Sequence, residues 1–107
     1  MEKRLYVAQR LSAAMLAPLV LIHLGLIVYA VEGGLSAAEI LDRTRGHIGW
    51  ALFYLLFVIA AAIHAPIGLR NVLKEWTTLK PRWIDILMIL LSALLFILGL
   101  RAVAAVF

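Results

Sequence analysis

Residues 48–69 read IGWALFYLLFVIAAAIHAPIGL, and no residue from Ile48 to Leu69 carries a formal charge. A helix that crosses a bilayer needs about 20 consecutive, largely apolar residues, so this stretch alone makes the chain an integral membrane protein. Working outward, the run from Leu11 to Val31 is also uncharged, and a third begins near Trp83 and stays uncharged from Ile86 to Leu100. The third run spans a bilayer if Asp85 and Arg101 sit at opposite headgroup levels. The 16 residues between them cover about 24 Å at the helical rise, and long side chains reach outward to close the difference. The fold class expected is therefore all-α integral membrane, one domain over residues 1–107, with three transmembrane helices at about 8–31, 47–73 and 83–106.

Composition agrees. The chain has 107 residues, 65% hydrophobic and 15% charged, with a mean hydropathy of +1.06. A soluble domain is about 45–50% apolar and about a quarter charged. Three crossings use most of this length, which leaves no room for a soluble catalytic domain. The absence of cysteine excludes disulfides, Cys-ligated zinc and iron–sulfur clusters within the chain. A net charge of +4 would suit nucleic acid only if the basic residues formed a stripe with interleaved aromatics, and they do not. They sit between the apolar runs. The first run, at 21 residues, exceeds the usual 7–15 of a signal peptide's apolar region and is expected to remain as a spanning helix.

Charge sets the orientation. Lys3, Arg4, Arg10, Arg70, Lys74, Lys80 and Arg82 fall on one side, and Arg43, Arg45 and Arg101 on the other. The positive-inside rule then puts the N-terminus in the cytoplasm. In the first connection, Gly33-Gly34 ends helix one, and Ser36-Ala-Ala-Glu39 reads as a capping box with Leu35 as its staple. A short interfacial helix near 37–43 follows from it. In the second, Lys80-Pro81 breaks the chain ahead of Trp83, an interfacial anchor.

Two histidines stand inside the apolar runs, His23 in the first and His64 in the second. An ionisable side chain in a spanning helix is costly and points to function. Ala60, Ala61, Gly68, Asn71 and Glu75 share the face of His64, so the histidine is flanked by small residues that turn polar towards the cytoplasmic end. Small residues admit either a neighbouring helix or a flat ring, and haem held by an axial histidine needs such a surface. Pro66 removes a backbone donor beside it. Asp85, Ser92 and Gly99 recur every seven residues on the third helix and mark its packing face. Arg10, Ser12, Arg70 and Glu75 lie close in depth at the cytoplasmic end, where an amphipathic quinone head would find polar partners with its tail in lipid.

Gln9-Arg10-Leu11-Ser12 resembles the H-R-x-S-G element of the membrane-anchor subunits of succinate dehydrogenases and fumarate reductases. His64-Ala-Pro-Ile-Gly68-Leu-Arg70 followed by Glu75-Trp76 resembles their second-helix pattern, and the three-helix plan extends the likeness over essentially the whole chain. The departures are Glu-Trp where the family has Asp-Tyr, and Ala13 where it has glycine.

The resemblance implies a haem b-containing anchor subunit of a respiratory complex linked to the tricarboxylic acid cycle. Such a subunit is not itself catalytic, but passes electrons between an iron–sulfur subunit and membrane quinone. It implies His64 as haem-iron ligand with Gly68 beside the ring, and Arg70 near the propionates or the quinone. Arg10, Ser12, Glu75 and Trp76 would form the quinone site. His23 resembles the first-helix histidine of larger two-haem anchors, which gives one or two haems per pair of anchor chains. The implied partners are iron–sulfur and flavoprotein subunits on the cytoplasmic face, a second three-helix anchor chain (identical or related) and membrane lipid, with no nucleic acid. The implied location is a bacterial or archaeal cytoplasmic membrane. A haem-less structural anchor is the alternative; a small multi-helix transporter is disfavoured, because every acidic residue lies in a connection or near a run's end.

Overall fold

The computed structural model describes residues 2–107 as four helices: α1 (Glu2–Gly33), α2 (Ala37–Thr44), α3 (Ile48–Trp76) and α4 (Pro81–Val106). Three of them, α1, α3 and α4, are long and apolar enough to cross a membrane, and no strand occurs among the described residues. The molecule measures 48 × 22 × 22 Å, and its long axis matches a hydrocarbon core with headgroup layers, about 40–45 Å. The chain is an integral membrane protein.

The spanning helices lie where the apolar runs predict, but α1 begins at Glu2 and α3 runs on to Trp76. Both extensions, EKRLYV over residues 2–7 and KEW over residues 74–76, carry helix-favouring Glu, Lys, Arg and Leu and no Gly or Pro to stop them. Hydropathy marks where the membrane ends and not where the helix ends. Thr77 closes α3, its N–H and hydroxyl both donating to the Leu73 carbonyl. Pro81 stands in the first turn of α4, where its missing N–H has no intrahelical partner to lose.

The short helix forms as its cap signal predicts. The Glu39 N–H donates to Ser36 Oγ at 3.2 Å, and the Ser36 hydroxyl donates to the Glu39 carboxylate at 2.6 Å. That hydroxyl bond, then the bond from the Ser36 backbone, with Arg43 contributing, holds Glu39 below the usual carboxylate range. Gly34, with φ of +107°, makes the turn, and a Cβ there would collide with the Glu39 side chain. The Gly34 carbonyl accepts from Arg43 Nη2 at 2.7 Å. Leu35, the expected staple, stays largely exposed.

Helix α3 is the hub. It packs extensively on α4 and also on α1, while α1 and α4 scarcely touch. Outward faces are apolar, with Leu21, Leu24, Ile89, Leu90 and Ile97 all exposed, and the buried positions include Ala60, Ala62, Ser12 and Arg70. This is the distribution a bilayer demands. Lipid tails are as apolar as leucine, so association rests on close approach of small residues and on polar contacts. The seven-residue repeat on α4 faces α3 at every step. Asp85 meets Arg70, Ser92 meets the Ala62 carbonyl, and Gly99 lies so close to Val58 that a Cβ there would clash with it.

The Ser92 contact has a specific cause. Pro66 lies inside α3 and has no N–H, so the carbonyl four residues earlier, that of Ala62, loses its helical donor. In hydrocarbon such a carbonyl must find another partner. Ser92 Oγ of α4 donates to it at 2.8 Å. Replacing Ser92 with Ala is expected to destabilise the fold by about 1–2 kcal/mol. The same substitution in a Pro66→Ala background is expected to cost much less, because alanine at that position restores the helical bond. A double-mutant cycle of detergent unfolding measures the difference.

Candidate functional site

Two contacts between polar side chains and α3 seat α1 in the bundle. Ser12 of α1 is buried, 4% exposed. Its Oγ donates to the Gln9 carbonyl at 3.1 Å and stands 3.4 Å from Nδ1 of His64 on α3. One turn along, Gln9 lies against Gly68, whose notional Cβ would sit 3.5 Å from Gln9 Nε2, an ordinary contact. Gln9 Oε1 is buried and has no hydrogen-bond partner. So Ser12, His64 and Gly68 come together as a cluster, with Gln9 as a fourth member to which the sequence alone assigns no role. His64 itself is half-buried.

Arg70, further along α3, is 3% exposed, and its Nε donates to Asp85 Oδ1 of α4 at 2.8 Å. The Asp85 side chain keeps 35% of its surface. Arg70 is therefore not a bare positive charge waiting for an anion. Its carboxylate partner is in the same chain. The seven-residue repeat puts Asp85 on the packing face without pairing it to Arg70. The signal is there nonetheless, since residues nearly equidistant from the middle of a helical hairpin face each other, and 70 and 85 flank the Trp76–Pro81 connection almost symmetrically.

The other expected quinone residues lie at the same end but not at one point. The guanidinium of Arg10 is 5.9 Å from the centre of the Tyr6 ring, and Arg10, Glu75 and Trp76 are all exposed, Trp76 to 82%. The Ser12–His64 and Gln9–Gly68 contacts fix the antiparallel register of α1 on α3. On that register Arg10 stands level with residue 67, which leaves Glu75 about 12 Å further along the axis. Within one chain, Arg10 and the Glu75-Trp76 pair do not converge.

His23 lies at a different depth, eleven residues or about 16 Å beyond Ser12 along α1. Its ring packs against Phe57, centroids 5.1 Å apart, and edge-on to Tyr54 at 6.4 Å. With these two it lines a cavity of about 220 Å³, closed on the α4 side by Gly99, Ala102, Val103 and Val106. No group of three or more potential metal-ligating His, Cys, Asp or Glu side chains occurs among the described residues.

Three spanning helices, with histidine, serine and an arginine–aspartate pair inside and hydrocarbon-compatible faces outside, make a small polar-centred membrane bundle. A profile of the succinate dehydrogenase/fumarate reductase transmembrane subunit family matches residues 2–100. The chain belongs to that family and is a membrane-anchor subunit of that type of complex. No curated protein and no solved structure matches it significantly.

The Arg70–Asp85 pair yields a test. Breaking a fully buried pair costs about 3–5 kcal/mol. The partial exposure of Asp85 lowers this to about 2–3 kcal/mol for Asp85→Leu. Pairing Asp85→Leu with Arg70→Leu is expected to cost less than the two single changes added together, because both remove the same ion pair. Thermal unfolding of the detergent-purified protein reads both.

Proposed function

We propose that this chain is the haem b-containing anchor of a succinate dehydrogenase/fumarate reductase-type complex, passing electrons between a soluble iron–sulfur subunit and membrane quinone. The observation that carries the reading is His64. It is an imidazole within a spanning helix whose Nδ1 meets Ser12 and whose Nε2 has no hydrogen-bond partner among the described residues. Metal-bound histidines characteristically engage one ring nitrogen in a hydrogen bond and offer the other. The donor chemistry therefore fits an axial ligand. The larger cavities of the single chain are lined without His64, so the fit is that of a half-site. His64 of this chain would supply one ligating nitrogen, and a second three-helix anchor, identical or related, would supply the rest of the site. Bound there, haem b supplies one-electron redox chemistry.

The remaining roles follow from charge and depth. By the positive-inside rule the end carrying Lys3, Arg4, Arg10, Lys74, Lys80 and Arg82 faces the cytoplasm of a bacterial or archaeal cell. It is the surface on which the iron–sulfur and flavoprotein subunits dock. Exposed Arg10, Glu75 and Trp76 border the quinone site, and their axial separation in one chain means that a partner subunit completes it. Arg10 stabilises negative charge on the reduced quinone, with its counter-charge left to the partner. Arg70, already neutralised by Asp85, holds α3 to α4 behind that site. The surroundings of His23 fit haem less well, because the cavity of about 220 Å³ is filled out by Tyr54 and Phe57 and closed by α4. A second haem there requires those rings to move.

One observation favours a second reading, a haem-less structural anchor. Ala60 is fully buried and Gly68 lies under Gln9, so helix packing already uses part of the small-residue face. A dithionite-reduced minus oxidised spectrum of the purified complex separates the two. The cytochrome reading expects a b-type α-band that disappears in His64→Ala, with quantified haem at about one per pair of anchor chains. A colourless complex of intact subunit composition would leave the structural anchor.

A further inference from the structure

The hydroxyl of Ser12 has one proton and two neighbours. It donates that proton to the Gln9 carbonyl at 3.1 Å, the backbone bond that a serine inside a helix commonly makes. The oxygen then faces His64 Nδ1, 3.4 Å away, as an acceptor only. A bond between them requires the imidazole proton to sit on Nδ1, and a neutral imidazole has one such proton. Nε2 is then left with its lone pair. Ser12 is buried, 4% exposed, so bulk solvent has little access to the contact.

We propose that Ser12 is a positioning residue that locks His64 in the Nδ1–H tautomer, making Nε2 the one nitrogen this chain offers to an electron-accepting partner within the membrane. This deepens the haem reading by naming the ligating atom and what orients it, and it rests on that reading only for its redox consequence. The tautomer is a property of the chain alone. The same geometry moves Ser12 out of the quinone site. With the hydroxyl committed on both sides, it lies behind the imidazole and has no donor left for a quinone carbonyl.

The competing arrangement has the hydroxyl rotated to donate to Nδ1. His64 would then carry its proton on Nε2 and offer no lone pair there. The shorter distance to the Gln9 carbonyl favours the first arrangement. Gln9 Oε1 is itself a buried acceptor without a partner, and the Gln9 carbonyl lies only three residues from Ser12 along the same helix. The Ser12 proton is therefore drawn to a backbone acceptor, and His64 supplies the second bond.

Nitrogen-15 spectra of the full chain in lipid nanodiscs, labelled on histidine and assigned by difference with His64→Gln, read the tautomer directly. The expected wild-type result is a protonated Nδ1 and an unprotonated Nε2. Ser12→Ala is expected to shift His64 to a mixture or to the Nε2–H form, and Ser12→Thr, which keeps the hydroxyl, to restore the wild-type pattern. A wild-type Nε2–H form, or a tautomer indifferent to Ser12→Ala, would overturn the proposal. In the assembled complex, loss of the bond to Nδ1–H makes the imidazole a weaker electron donor. The haem midpoint potential is expected to rise in Ser12→Ala and return in Ser12→Thr. A complex without haem would defeat the functional reading and leave the tautomer result standing. A haem whose potential ignores both variants would defeat the positioning role alone.

Discussion

Water is missing from the middle of a bilayer, and any polar group of α3 that its own helix leaves unsatisfied must find its partner on a neighbouring helix. That constraint organises the molecule. His64 reaches Ser12 on α1; the Ala62 carbonyl, freed by Pro66, accepts a hydrogen bond from Ser92 on α4; Arg70 pairs with Asp85 on α4. Each contact fixes both the facing and the axial register of a helix that would otherwise slide on its apolar surface. Helix α3 becomes the hub because it carries the groups that cannot be left alone, and α1 and α4 take their places from it.

The division of labour in the complex follows from the same economy. A chain that uses nearly all its residues to cross the membrane keeps few side chains for chemistry, and those few sit where two helices already meet. His64 lies within a helical turn or two of the Ser92–Ala62 and Arg70–Asp85 contacts, where α3 is tied to α4 by polar bonds. His23, by contrast, packs against the rings of Phe57 and Tyr54. The basic end has Arg10, Lys74, Lys80 and Arg82 spread over its surface rather than gathered at one point, which suits a face finished by other subunits.

Much of this is legible in the residues. Hydropathy locates three spans, the Ser36–Glu39 spacing locates α2, and the repeat of Asp85, Ser92 and Gly99 identifies the face of α4 that meets α3. These readings succeed because periodicity and capping are local. Side-chain partners across helices are not local. The Arg70–Asp85 pair depends on the length of the hairpin connection, and the meeting of Ser12 with His64 depends on the register of α1 against α3. Spacing likewise groups Arg10 with Glu75 by counting residues from the membrane edge, whereas the register separates them by about two helical turns. The orphaned Gln9 oxygen has no signal in the sequence, since a glutamine at the edge of an apolar run reads as solvated.

The register of α1 on α3 is the claim on which the site depends, and the cysteine-free chain allows it to be measured cleanly. A Cβ at Gly68 would stand 3.5 Å from the end of the Gln9 side chain, so a Gln9→Cys/Gly68→Cys variant should cross-link in native membranes with a bifunctional thiol reagent that spans no more than a glutamine side chain. Gln9→Cys paired with Val72→Cys, one turn further along α3, should not. That outcome would fix Ser12 at the level of His64. Cross-linking of the shifted pair in place of the first would put α1 one turn out of register, separate Ser12 from His64, and contradict the account.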